Sequence, residues 1–268
     1  MREFSAEYLR RTREGMWERD RSALAALDLD SRRRVLDVGC GTGEFAAVLA
    51  AETPGEVIGV DADPRLLRVA REETGLPVVA GDATALPVRD DAADLVACQA
   101  LLVNLPEPVA AIREFARASS DLVAAVEPDN ADVGVQSTVD REAPLERRVR
   151  AAFLDGVETD PALGESVPRL FREAGLVDVR TSRYHHRKVV EPPYDEDDLR
   201  DASRKASGAG LADHERELRR ALSAEEYDDL RRAWRAMGRS VIEQMAEEEY
   251  RRAEVVPFDV TVGRLPAD

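Results

Sequence analysis

The sequence contains little lysine, little cysteine and no long apolar run. Only Lys188 and Lys205 are lysines among 38 basic residues, whereas Asp and Glu number 54, so the formal net charge is −16 over 268 residues. Excess acid with scarce lysine favours a protein adapted to high salt. Arginine use driven by genome composition would explain the missing lysine, but it would not explain the acid excess.

The negative charge bears on the choice of partner. A strongly acidic surface repels the nucleic acid backbone, because it has no positive field to replace the phosphate counterions. The composition therefore disfavours DNA or RNA as the main partner, and a local basic patch would be needed to bind either.

The two cysteines form no recognisable site. Cys40 and Cys98 lie in neither a disulfide framework nor a metal-ligand spacing, so we expect two buried thiols in a reducing compartment and no bound metal. No apolar run approaches the roughly 20 residues of a membrane span, and the charged start of the chain lacks the apolar centre of a secretory signal. These absences predict a cytoplasmic protein without a membrane partner.

The first half of the chain alternates apolar strands with helical segments. Nearly continuous apolar strands separated by helices predict a mostly parallel sheet covered on both faces. In such sheets, ligands bind outside the carboxyl ends of the strands. The predicted strands cover 33–38, 56–62, 76–82, 91–99 and 122–128.

The remainder follows a different rhythm. Helical spacing recurs over 3–28, where Gly15 could divide the segment into two helices, and over 145–155, 165–175 and 195–250. Strand patterns cover 177–190 and 254–265. The predicted organisation is an N-terminal helical cap segment (1–30), a Rossmann-like core (31–189), a helical insertion (190–253) and a last strand of the core sheet (254–268).

The strongest motif is VLDVGCGTG, residues 35–43, in which glycines follow a strand and open a helix. Glycine suits a tight turn and a close approach of backbone to ligand. The dinucleotide fingerprint GxGxxG is incomplete, because its last position, counted from Gly39, is Glu44. A carboxylate there would repel a pyrophosphate at the helix start, so the loop predicts a ligand without phosphates.

Two acids end the neighbouring strands. Asp61 closes the second strand, where a carboxylate can accept hydrogen bonds from both ribose hydroxyls. Asp82 ends the third strand and can accept from an exocyclic amine. Together with the glycines, these acids predict a nucleoside site.

The segments VLDVGCGTG, VIGVDADPRLL and GDATALPV, with the fourth strand and its helix, resemble the class I S-adenosylmethionine-dependent methyltransferases of the small-molecule type (methyltransferase type 11). The resemblance covers about 33–128. It implies S-adenosylmethionine as cofactor, the methionine moiety near the glycines, ribose at Asp61, adenine at Asp82, and Gln99 near the methyl group or the substrate. The implied binding residues are Asp37, Gly39, Cys40, Gly41, Thr42, Gly43, Asp61, Ala62, Asp82, Ala83 and Gln99.

The family sheet has seven strands and an antiparallel hairpin at one edge, to which 177–188 and 255–264 would correspond. About 65 residues separate these two strands here, where the family has a short loop. We expect this helical insertion to cap the site with the N-terminal helices. Packing elsewhere, or mediating a homodimer, is the alternative.

The expected reaction is transfer of a methyl group to a small molecule by in-line displacement. The alternatives are a donor-binding protein without turnover and, less favoured because of Glu44, a nicotinamide-dependent oxidoreductase. No general base is identified. Glu127 could act on the acceptor or only cap the loop at Pro128. His185 and His186 are weaker candidates, since adjacent strand residues point to opposite faces and suit a polar sheet edge.

Overall fold

A computed structural model describes residues 5–13, 15–18 and 20–266. Eight strands form one sheet, and their bounds are β1 (Arg34–Val38), β2 (Glu56–Asp61), β3 (Val78–Ala80), β4 (Ala93–Gln99), β5 (Ser119–Pro128), β6 (Gly134–Ser137), β7 (Val177–Val190) and β8 (Arg252–Arg264). The strand order is β3-β2-β1-β4-β5-β8-β6, and β7 also pairs with β8. Strands β1 to β5 are parallel, and β8 is antiparallel to β5 and β6.

The helices follow the strands in alternation through the first half of the chain. They are α1 (Ala6–Arg13), α2 (Glu44–Glu52), α3 (Pro64–Thr74), α4 (Pro108–Ala118), α5 (Glu142–Gly156), α6 (Val167–Glu173), α7 (Glu196–Ser207), α8 (Ala209–Ala212), α9 (Glu215–Ala221) and α10 (Ala224–Ala246). Short 3-10 helices cover Ser22–Leu27, Leu29–Ser31, Leu102–Asn104 and Leu163–Ser166.

Local sequence explains several helix starts. Pro64 begins α3, and the Asp63 side chain accepts a hydrogen bond from the Arg65 amide. At α10, Ser223 and Glu226 form a reciprocal capping box, which satisfies two backbone N–H groups of the first turn.

The central strands are buried on both faces, as their apolar sequences predict. β1 lies between β2 and β4, with Asp37 opposite Gly59 and Ala97. Because parallel strands end at the same edge, the residues after β1, β2 and β4 meet there. The predicted Rossmann-like α/β fold is confirmed.

The last strands pair across the predicted edge. Thr181 contacts Thr261 and Arg183 contacts Asp259. Residue numbers rise along β7 as they fall along β8, so the two strands are antiparallel. The sequence did not indicate β6. β6 has only four residues, none of which is fully buried, and it pairs with the amino end of β8. A strand this short and this exposed has too weak an apolar pattern to be recognised from sequence.

Two helical predictions need correction. Within 3–28, α1 ends at Arg13 and residues 22–27 form a 3-10 helix, because Gly15 (φ 68°) and Trp17 (φ 69°) adopt left-handed backbone that interrupts a helix. The part of that prediction on 3–4, 14 and 19 lies outside the described residues. The stretch 195–250 is four helices, since the chain breaks at Gly208, at residues 213–214 and again at Leu222.

The chain forms two compact units. The first comprises the described residues up to Asp129, Ala162–Tyr184 and those from Phe258 on; the second comprises Asn130–Pro161 and His185–Pro257. In the second unit, Trp234, Met237 and Met245 are buried in its apolar core. The insertion 190–253 falls within this unit, and its capping role stays a prediction.

The second unit also buries charge. Glu142 is fully buried and accepts hydrogen bonds from Tyr250 and Lys205. Glu146 pairs with Lys205 at 3.1 Å and with Arg252 at 2.7 Å. The buried Glu142 and the largely buried Glu146 are thus matched by largely buried cations.

Across residues 5–13, 15–18 and 20–266, no helix combines the length and the apolarity that crossing a bilayer requires.

Candidate active site

The glycine loop, residues 39–43, follows β1 at the carboxyl edge of the sheet. The amides of Gly39 and Cys40 donate to the Val60 carbonyl at 2.7 and 3.0 Å, which fixes the turn against β2. Gly39, Gly41 and Gly43 all have positive φ, at 72°, 56° and 91°. The loop therefore needs glycine for its backbone conformation.

The loop is also closely covered. A Cβ at Gly41 would lie 2.9 Å from Leu9 Cδ1 and 3.1 Å from Arg13 Nη1, both on α1. A Cβ at Gly39 would lie 2.8 Å from Leu101 Cδ1. The described N-terminal helix and the turn after β4 thus pack directly against the glycine loop.

Asp61 ties the loop to the end of β2. Its carboxylate accepts hydrogen bonds from the Gly41 amide at 2.9 Å and from the Asp63 amide at 2.8 Å. Each carboxylate oxygen has a second acceptor position, so Asp61 can still receive hydroxyl donors from a ligand.

Asp37 is a buried carboxylate that lacks well-formed hydrogen bonds. It is 1% exposed, and neither carboxylate oxygen accepts a well-formed hydrogen bond. Burial raises the pKa of Asp37 to about 7; the Asp61 and Glu44 carboxylates also raise it, and Arg13 lowers it. A buried carboxylate without a well-formed hydrogen bond is unfavourable by itself and suited to a cationic ligand.

Arg13 offsets part of this negative charge. Its side chain is 9% exposed and lies 3.7 Å from the Glu44 carboxylate. It also donates a long hydrogen bond of 3.4 Å to the Gln99 carbonyl. Three carboxylates and one guanidinium leave this edge of the sheet net negative.

Gln99 ends β4 and is 3% exposed. The Trp17 indole N–H donates to its Oε1 at 2.9 Å, and the Trp17 ring stacks on Tyr184 with a centroid distance of 4.4 Å. The Gln99 side chain is therefore held in one orientation by the N-terminal segment.

The residues predicted to lie near adenine, Asp82 and Ala83, follow the neighbouring strand β3. The Gly81 amide donates to the Asp61 carbonyl at 3.0 Å, which brings Asp82 beside the end of β2. Asp82 accepts from the Thr84 amide and hydroxyl, and these bonds lower its pKa. Ala83 is partly buried and Ala62 is exposed.

Glu127 makes backbone contacts. Its Oε1 accepts from the amides of Leu101 at 3.0 Å and Leu102 at 2.8 Å, and its Oε2 accepts from Val103 at 3.2 Å. Burial raises its pKa to about 7, although these amides lower it. Its carboxylate caps a loop, but that loop follows β4 rather than lying at Pro128.

The histidines belong to the second unit, whereas the glycine loop belongs to the first. His185 is exposed and His186 is 2% exposed, which agrees with opposite faces of a strand. Burial lowers the pKa of His186 to about 4, and Lys188 lowers it further. His186 is therefore neutral near pH 7.

The structure joins most of the predicted binding residues by direct contacts around the glycine loop, with Asp82 and Ala83 one strand away. The sequence did not predict that Arg13 and Leu101 lie against the glycine loop, or that Trp17 contacts Gln99. Leu9 and Arg13 are four residues apart and share a helix face, but nothing in the arginine-rich N-terminus distinguishes Arg13.

Comparison with known proteins shows which family the chain resembles. Residues 36–121 match the family described as a methyltransferase domain. A trans-aconitate 2-methyltransferase from Methylobacterium radiotolerans is 34% identical over 194 residues, which cover 63% of this chain and 69% of that protein. A demethylmenaquinone methyltransferase from Lactiplantibacillus plantarum is 37% identical over 106 residues, which cover 36% of this chain and 45% of that protein. The latter match thus spans less than half of that relative.

Two solved structures share the fold over most of their length. The YcgJ protein from Bacillus subtilis superposes with a TM-score of 0.54 at 18% identity, covering 92% of this chain and 99% of the other. A proposed methyltransferase from Bacillus halodurans gives a TM-score of 0.51 at 16% identity, with coverage of 92% and 99%. At such identities the likeness supports the fold alone. With the trans-aconitate methyltransferase match, it follows that the chain belongs to the class I S-adenosylmethionine-dependent methyltransferases, as its sequence predicted, and that its cofactor is S-adenosylmethionine.

Proposed function

We propose that this protein transfers the methyl group of S-adenosylmethionine to a small-molecule acceptor by in-line displacement. The observation that carries the proposal is the buried Asp37 carboxylate, whose two oxygens lack well-formed hydrogen bonds beside three positive-φ glycines. A charged group in that state is stabilised by a ligand that brings a cation.

The residues of the site fit this cofactor. Its methionine ammonium would give Asp37 hydrogen-bond donors that the described side chains do not supply. Asp61 would accept from the ribose hydroxyls, and Asp82 from the adenine amine. The carboxylates of Asp37, Asp61 and Glu44 give a negative field that favours a positively charged donor.

When bound, S-adenosylmethionine supplies an electrophilic methyl group on a positively charged sulfur. The contribution of the chain is then position, orientation and exclusion of water. Leu9 and Leu101 cover the glycine loop with apolar side chains. Arg13 would form an ion pair with the methionine carboxylate. It lies 3.7 Å from the Glu44 carboxylate and lowers the pKa of Asp37, so its positive charge acts on this site.

A general base is needed only if the acceptor starts protonated. The Glu127 carboxylate already accepts three backbone amides, which favours an indirect role for it. Base catalysis by His185 or His186 stays a prediction.

The acceptor class follows from the relatives and from charge. The two relatives are named for trans-aconitate and demethylmenaquinone, both small molecules. The net charge of −16 supports an acceptor other than nucleic acid. A homodimer stays a prediction.

Methyl-labelled S-adenosylmethionine tests the proposal directly. The protein is incubated with trans-aconitate, a demethylmenaquinone analogue and a pool of small metabolites, and label transfer is measured by mass spectrometry. We expect label in one acceptor, and its loss in Asp61→Ala but not in the exposed Asp197→Ala control. Donor binding without transfer to any acceptor would instead support the binding protein without turnover.

A further inference from the structure

The turn after β4, residues 99–104, holds a strained backbone. Ala100 has φ 50°, in the left-handed region where a side chain costs about 1 kcal/mol or more. Its amide donates to the Val126 carbonyl at 2.9 Å, and Asn104 Nδ2 donates to its carbonyl at 2.9 Å. Strained backbone persists only where its surroundings hold it.

Glu127 provides that restraint. The side chain is fully buried, and its two oxygens accept three consecutive amides, those of Leu101, Leu102 and Val103, at 2.8 to 3.2 Å. Three backbone dipoles directed at one carboxylate form an anion nest within the protein itself. An apolar residue of similar size would leave these buried amides without partners.

The turn carries two groups of the donor site. Gln99, at its start, contacts Arg13 through its carbonyl and Trp17 through its side chain. Leu101 lies so close to Gly39 that a Cβ there would be 2.8 Å from Leu101 Cδ1. A shift of the turn would therefore move both Gln99 and the apolar wall of the glycine loop.

We propose that Glu127 is a positioning residue: its carboxylate holds the strained turn 99–104 in the shape that sets Gln99 and Leu101 against the glycine loop, and so controls donor binding. The inference rests on the proposed donor-binding role of that loop. It gives a function to a carboxylate whose full burial is otherwise unfavourable.

The test uses S-adenosylhomocysteine as probe and Glu127→Gln as variant. The glutamine amide keeps the volume but opposes its own N–H₂ group to one of the backbone donors. We expect affinity to fall about tenfold, because misplacement of a supporting residue is transmitted to the site. Amide hydrogen exchange in 99–104 should accelerate. Asp121→Asn, at the opposite end of β5, should bind like the wild type.

A second substitution separates positioning from general stability. Adding Ala100→Gly to Glu127→Gln removes the cost of positive φ, because glycine adopts this conformation freely. We expect the double variant to recover at least half of the lost binding free energy. A role confined to packing around Glu127 would give no recovery.

The outcomes are distinct. If the wild type does not bind S-adenosylhomocysteine, the proposed function fails. If the wild type binds it and folded Glu127→Gln binds equally well, the positioning role is wrong. Should Glu127→Gln not fold, Leu101→Ala is the second variant, because it removes only the side chain that packs against Gly39. Unchanged affinity for S-adenosylhomocysteine in Leu101→Ala would also contradict the proposal.

Discussion

At the scale of single residues, the proposed donor site predicts that a residue which lowers stability contributes to binding. Asp37 is buried without good hydrogen bonds, and its pKa is raised to about 7. A carboxyl whose pKa is raised on folding stabilises the fold most below its unfolded pKa, and that contribution is lost as pH rises toward the folded value. At neutral pH, we therefore expect Asp37 to destabilise the unliganded protein and to be stabilised by a cationic ligand.

Asp37→Asn tests that trade. Removing the buried charge should raise the unfolding free energy of the unliganded protein at pH 8 by about 1–3 kcal/mol, because burial of an ionised carboxylate is unfavourable. The same change should weaken S-adenosylmethionine binding at least tenfold. Denaturant melts and calorimetry check both; a variant that is destabilised and binds normally would contradict the assignment.

Donor binding should depend on pH through the same group. A ligand ammonium favours the ionised carboxylate, so affinity should fall as pH drops below about 7, the pKa of Asp37. Binding near that pH should release a proton. Calorimetry in two buffers of different ionisation enthalpy measures this release, and Asp37→Asn should abolish it. Equal heats for the wild type in both buffers would contradict the mechanism.

Among the helices and strands, those whose formation depends on neighbouring residues in the sequence were predicted best. Apolar runs predicted β1 to β5, and the capping box predicted the start of α10. The strand β6 and the 3-10 helix Ser22–Leu27 were missed, since each depends on tertiary partners or on a backbone reversal that periodicity does not encode.

The site shows the same limit. The glycines and Asp61 stand in one recognisable order, so they could be predicted from sequence. The contact of Arg13 with Gln99 spans 86 residues, and Glu127 reaches its amide partners across about 25. Such long-range contacts leave no local signal, which explains why the role of Glu127 was open before the structure.

Gly41→Ala tests the packing of α1 on the glycine loop. Gly75 is a matched control, because its φ of 69° resembles the 56° of Gly41, but nothing lies within 4 Å of a Cβ there. Both alanine variants should lose about 1 kcal/mol of stability from backbone strain. Only Gly41→Ala should also lose S-adenosylhomocysteine binding. Equal binding by the two variants would show that crowding against Leu9 and Arg13 is unimportant.

For the whole molecule, charge is the dominant feature. A net charge of −16 destabilises the compact state by self-repulsion, and salt screens that repulsion. We expect the melting temperature to rise as potassium chloride increases from about 0.1 to 2 M. Circular dichroism melts measure this; full structure and an unchanged melting temperature without added salt would contradict adaptation to high salt.

The most direct test of the account is calorimetric titration with S-adenosylhomocysteine and, separately, with NADH, at low and high salt. We expect binding of S-adenosylhomocysteine alone, since Glu44 at the helix start disfavours a pyrophosphate. Folded protein that binds NADH, or that binds neither compound, would contradict the donor site built from Asp37, Asp61 and the glycine loop.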